Sequence, residues 1–137
     1  MLYSAYRTRK KKERKPPLNK QPLQPPILCI DLKKNRIRIH RRTLQLLGNP
    51  EYIQLLINPT EKKIAVKKSS RNERPSYRMY INSPDCCELY STYFMEKLMS
   101  VGTHLETNQS YRLYGKISTK DGIAFFSLSE SILIEEN

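Results

Sequence analysis

Residues 27–48 read ILCIDLKKNRIRIHRRTLQLLG, and the architecture follows from how this stretch divides. ILCIDL (27–32) is a short apolar run of strand length, and Lys33-Lys34-Asn35 breaks it as a turn. RIRIH (36–40) then alternates strictly. A period of two makes it a strand with Ile37 and Ile39 on one face and Arg36, Arg38 and His40 on the other. Same-face residues on a strand lie roughly 6.6–7 Å apart, close to the phosphate spacing of a nucleic-acid strand. Arg41 to Leu47 follow as a short helix with Leu44 and Leu47 on one side. Gly48 is a natural helix stop, and Pro50 forbids continuation.

Downstream the same grammar continues. YIQLLI (52–57) and KKIAVKK (62–68) read as a hairpin around Asn58-Pro59-Thr60-Glu61, with Ile64 and Val66 inward. SSRNERP (69–75) is a polar linker. YRMYI (77–81) and CELYS (87–91) are strands about a turn at 82–85, and Thr92 to Val101 form a helix with Phe94, Leu98 and Val101 on one face. Gly102 ends that helix as Gly48 ended the first. YRLYGKI (111–117) and IAFFSL (123–128) form a last hairpin with Asp121-Gly122 in its turn. Strand, turn, strand, helix, Gly, strand, turn, strand thus occurs twice, over 27–68 and 76–134. The expected fold is mainly β with short helices, a β-rich α+β body of two pseudo-repeats over 27–137. Each half is too small to bury a core alone, so strands of the two halves should pair.

Upstream lies MLYSAYRTRKKKERKPPLNKQPLQPP (1–26), with five of the nine prolines and no apolar periodicity. Such a segment reads as a disordered basic arm. Its cations Arg7, Arg9, Lys10, Lys11, Lys12 and Arg14 read either as an arm that lies on phosphates or as a solvated solubility tail. The whole chain has 137 residues and a net charge of +12. The arm contributes eight basic residues and one acidic, residues 27–75 twelve and four, and residues 76–137 five and eight. An excess of this size favours an anionic partner. Three cysteines make no disulfide framework and point to a reducing, cytoplasmic setting. No apolar run is long enough to span a membrane, and no apolar stretch follows the N-terminal charge as in a signal peptide.

Arg36-Ile37-Arg38-Ile39-His40-Arg41-Arg42-Thr43-Leu44-Gln45-Leu46-Leu47-Gly48 resembles the core of the AbrB/SpoVT-like swapped-hairpin regulators, over about residues 27–70. That family has an Arg opening an apolar strand, a short Arg- and Leu-rich helix, then Leu-Gly. Asn35 stands where the family usually has Gly, and His40 where it usually has Pro. Two such units in one chain look like the MraZ branch. The resemblance implies a pseudo-duplicated swapped-hairpin barrel, a pseudo-dimer within one chain that could assemble further. It also implies DNA contacts from Arg36, Arg38, Arg41 and Arg42, with Lys33 and Lys34 in the turn before them.

Other chemistry is thin. No Gly-rich phosphate loop is present, and Cys29, Cys86, Cys87, His40 and His104 lack the spacing of a zinc site. No metal, cofactor or enzymatic activity is expected. Cys86-Cys87 reads as two small residues at a strand entry. The tyrosines of the second half (Tyr77, Tyr80, Tyr90, Tyr93, Tyr111, Tyr114) read as sheet packing. The face near Glu88 and Tyr90 should tolerate substitution. Two functions remain open. One is a nucleic-acid-binding regulator, a transcriptional one on duplex DNA more than RNA. The other is a small basic inhibitor or adaptor on an RNA or a ribonucleoprotein enzyme, of the kind a phage or mobile element carries against CRISPR defence.

Overall fold

The computed structural model describes residues 24–80, 85–101 and 104–135. Its elements are β1 (Ile27–Asp31), β2 (Arg36–His40), α1 (Arg41–Leu46), β3 (Tyr52–Asn58), β4 (Lys63–Ser69), β5 (Tyr77–Arg78), β6 (Cys86–Tyr90), α2 (Thr92–Ser100), β7 (Ser110–Tyr114), β8 (Lys116–Ser118), β9 (Ile123–Ser127), a 3₁₀ turn at Leu128–Glu130, and β10 (Ile132–Ile134). The expected arm over 1–26 lies outside the described residues except for its last three, as does the helix stop at Gly102. No helix among the described residues is long and apolar enough to cross a membrane.

The strands form two antiparallel five-stranded sheets. The first runs β10-β7-β1-β2-β6 and the second β8-β9-β4-β3-β5; neither closes on itself. The halves are interleaved. β2 pairs with β6, the second strand of the other half, and β4 pairs with β9, the last hairpin strand of the other half. The strand after each helix pairs with the first strand of the opposite half: β7 with β1, and β3 with β5. One core results. Leu28, Ile30, Ile37 and Ile39 from the first sheet and Ile53, Ile64, Val66 and Phe126 from the second are fully buried, with Leu98 of α2 between elements of the same cluster. Burial of such side chains stabilises by about 1.5–3 kcal/mol each, and neither half owns enough of them to offset its chain entropy.

Local chemistry fixes the elements. His40 caps α1, its Nδ1 accepting from the Arg42 amide at 3.0 Å, and Ser91 caps α2, its Oγ accepting from the Phe94 amide at 3.1 Å. Thr43, buried in α1, pins the helix to β1 by accepting from the Ile27 amide and donating to the Ile27 carbonyl, both at 2.8 Å. Asp31 closes the β1–β2 turn by accepting from the Lys33 and Lys34 amides at 3.0 and 3.2 Å. Asn35 completes that turn with φ 53°, a left-handed conformation that Asn tolerates.

Several expectations need correction. YRLYGKI is not one strand: it divides at Gly115 into β7, in the first sheet, and β8, in the second. A Cβ at Gly115 would collide with the Phe125 carbonyl oxygen and the Phe126 ring, so only glycine lets the chain cross from sheet to sheet there. Among the described residues YRMYI is a strand only at Tyr77–Arg78, while its position 81 and positions 82–84 of the expected turn lie outside them; after β9 a 3₁₀ turn leads to β10, which joins the first sheet beside β7. The tyrosines do not chiefly pack the sheets. Tyr111 is buried, but Tyr80, Tyr90, Tyr93 and Tyr114 are exposed.

Candidate nucleic-acid interface

The alternation of RIRIH holds: Ile37 and Ile39 are buried, while Arg36, Arg38 and His40 lie on the outer face of the first sheet. Register places their neighbours. Arg38 stands between Cys29 on β1 and Glu88 on β6, and Cys29 in turn stands beside Arg112 on β7. One cross-strand row therefore reads Arg112, Cys29, Arg38, Glu88. Arg36 stands between Asp31 and Tyr90, and His40 opposite Cys86.

Arg36 is the residue whose role changes most. Its Nε donates to Asp31 Oδ2 at 2.8 Å and its Nη1 to Glu88 Oε2 at 2.9 Å, with side-chain exposures of 14%, 9% and 17% for Arg36, Asp31 and Glu88. Asp31 also accepts from Ser110 Oγ at 3.1 Å, which ties β7 to the same group. Burial pushes the Asp31 carboxyl up, but the bonds from Arg36, the Lys34 amide and Ser110 outweigh it and hold the carboxyl below its ordinary value. Burial likewise opposes the Arg36 charge, and Asp31, Tyr90 and Glu88 more than restore it. This guanidinium is committed to joining β1, β2 and β6. Glu88, expected to tolerate substitution, is the other anchor of that cluster.

Arg38 is different. Its side chain is 40% exposed. Its Nε donates to Cys86 Sγ at 3.4 Å and lies 3.5 Å from Glu88 Oε2. The Cys86 contact is the foremost influence raising the Arg38 pKa above its ordinary value, against burial. Arg112, exposed on β7, has its pKa raised above the ordinary value, first by the Cys29 sulfur and then by the Tyr114 hydroxyl, against burial. Among the described residues no carboxylate pairs with Arg112. Arg38 and Arg112 rim an open hollow of about 360 Å³, floored by Ile27, Cys29 and Cys86 and bordered by His40, Tyr114 and the exposed Asp85.

The other cations are spread along the sheet. Arg41 and Arg42 start α1 at the His40 end. The Arg41 amide donates to the Asp85 carbonyl at 2.7 Å, and Arg42 Nε to the Gln24 carbonyl at 3.4 Å. Lys33 and Lys34 sit in the turn at the opposite end of β2, roughly 17 Å away along a five-residue strand. Five of the six expected cations thus form a track with Arg38 in its middle, and Arg36 is withdrawn from it. Arg7, Arg9, Lys10, Lys11, Lys12 and Arg14 lie outside the described residues.

Sequence reasoning passed over Arg112, because the second half is net acidic. The available signal was its alternation with Tyr111 and Leu113, which sends it outward from a strand. It also left unused Lys63 and Lys67, which share a face of β4 with Ala65. Among the described residues no group of three His, Cys, Asp or Glu side chains is placed to hold a metal ion. No protein-family model matches the chain, and no curated protein or solved structure matches it.

Proposed function

We propose that the protein is a nucleic-acid-binding regulator that grips duplex DNA with the outer face of its first sheet. One observation carries the reading. Guanidiniums from two strands that are distant in sequence, Arg38 and Arg112, converge on one open hollow, with Arg41 and Arg42 beginning the helix beside it. Guanidiniums are planar forks that match phosphate oxygens, and they remain charged at every physiological pH. A track of such groups supplies sequence-independent, salt-sensitive affinity. Lys33 and Lys34 extend the track at the far end of β2.

The swapped-hairpin kinship belongs to the same proposal. Its support is the reciprocal pairing of the halves, in which β7 joins β1 as β3 joins β5, and β2 meets β6 as β4 meets β9. A chain built this way is a pseudo-dimer in one polypeptide.

The adaptor reading has one observation in its favour. On the outer face of the second sheet, Leu56, Ala65 and Phe125 form a cross-strand row, with Leu56 and Phe125 exposed. An apolar row of this kind suits a protein partner. Affinity capture with and without nuclease separates the two. The regulator reading expects co-purifying nucleic acid that nuclease removes, leaving no stoichiometric protein. A single protein or ribonucleoprotein that persists after nuclease would replace it with the adaptor reading.

A further inference from the structure

We infer that a second cleft, built from the start of β3, the 69–75 loop and the first turn of α2, takes an unpaired nucleobase and its phosphate from a single strand. The cleft holds about 710 Å³ and is lined by Tyr52, Arg71, Arg74, Pro75, Ser76 and Tyr93. That volume lies within the range of about 300–1,000 Å³ typical of sites for small organic groups.

Its chemistry is specific. Tyr93 is 67% exposed, on the side of α2 turned away from Phe94, Met95 and Leu98 in the core. Tyr52 is half-buried on β3 and lines the cleft together with Tyr93. Lys97, one turn along α2, holds its ammonium 6.0 Å from the Tyr93 ring centre. Arg71 and Arg74 are exposed, and neither guanidinium has a carboxylate partner among the described residues. Glu73, the acid between them, is turned onto its own loop, accepting from Ser69 Oγ at 2.8 Å and the Ser70 amide at 3.1 Å. Gln54 Nε2 donates to the Arg74 carbonyl at 3.4 Å and fastens the loop to β3. The hydroxyls of Tyr77 and Ser91, 3.2 Å apart, link β5 to the cap of α2.

Flat phenol faces beside unpaired guanidiniums, with no carboxylate in the lining, fit a ligand that is both aromatic and anionic. A nucleotide unit is such a ligand. A base stacks on a tyrosine face whatever its identity, and the phosphate meets the arginines. A base inside a duplex cannot enter, because both its faces are covered. The assignment uses residues separate from the Arg38–Arg112 hollow, so either can fail without the other.

The test is fluorescence anisotropy of a labelled oligothymidylate on the full chain. Tyr93→Ala should weaken binding ~5- to 150-fold, the range for loss of one base–aromatic stack, while Tyr93→Phe keeps the ring and stays near the parent. Arg71→Ala with Arg74→Ala should weaken binding and flatten its salt dependence. Duplex binding should be unchanged in these variants, and oligothymidylate binding should persist in Arg38→Ala with Arg112→Ala. The substituted cleft side chains, Tyr93, Arg71 and Arg74, are all exposed, and thermal unfolding of each cleft variant should match the parent. Unchanged oligothymidylate binding in both the Tyr93→Ala and the double-arginine variants would overturn the assignment. So would poly-glutamate binding as tightly as the oligonucleotide, or thymidine monophosphate competing as well as an equal concentration of strand.

Discussion

Replacing Arg36 by alanine should destabilise the protein rather than simply weaken its binding. The change leaves Asp31 Oδ2 and Glu88 Oε2 without the guanidinium that holds them at 2.8 and 2.9 Å. Removing one partner of a fully buried pair costs about 3–5 kcal/mol. Here the carboxylates keep some solvent contact, and Asp31 retains the Lys33 and Lys34 amides and Ser110, so the expected cost is ~2–4 kcal/mol. For a domain of this size each kcal/mol moves Tm by about 3 °C, which gives a fall of ~6–12 °C. Arg38→Ala is the internal control. Its side chain is far more exposed and its contact with Glu88 is longer, so its cost should be ~0–1 kcal/mol. Urea and thermal unfolding followed by circular dichroism measure both. A cycle of Arg36→Ala with Glu88→Gln should show coupling, because the two side chains touch. An Arg36→Ala protein within about 0.5 kcal/mol of the parent, and additive with Glu88→Gln, would refute the structural role and return Arg36 to the ligand-facing set.

Two further outcomes follow from the same geometry. Because the Asp31 carboxyl is held below its ordinary value in the folded protein, its contribution is complete above the unfolded value of about 3.9 and is lost as pH falls through the depressed one. Asp31→Asn should therefore be less stable than the parent at neutral pH, with the gap closing as urea midpoints are followed down into that acid range. Gly115→Ala should cost about 1–3 kcal/mol by forcing a methyl against the Phe125 carbonyl and Phe126 ring, and a stability equal to the parent by urea titration would show that the crossing tolerates a side chain.

Much of the body was legible because it obeys local rules. Strict alternation in RIRIH and the apolar run ILCIDL predicted β1 and β2 within a residue, and the Leu44–Leu47 and Phe94–Leu98 spacings predicted both helices. Gly115 was not legible as a crossing point, because its reason is the approach of Phe125 and Phe126, which are ten residues on and on another strand. The fate of Arg36 was hidden for a similar cause. A strand's outer face says nothing of the neighbouring strand, and it is the β2–β6 pairing that brings Glu88 across fifty-two residues to the guanidinium. Arg112 escaped notice because net charge was read by segment, whereas the sheet assembles its surface from β7, β1 and β2 together. Tyr93 and the arginines of SSRNERP were read as packing and linker, since a cleft between a loop and a helix leaves no periodic mark on the sequence.

The central claim is that Arg38 and Arg112 form one phosphate-gripping site on the first sheet. It is tested most directly by the slope of log affinity against log salt for a duplex DNA, compared between the parent and the protein carrying Arg38→Ala and Arg112→Ala. Two lost phosphate contacts at ~0.9 each should make the slope shallower by about two, and affinity at low salt should fall by about 1–3 kcal/mol, with Tm nearly unchanged. A double variant with the parent's slope and affinity would contradict the claim and leave the hollow without a role in binding nucleic acid.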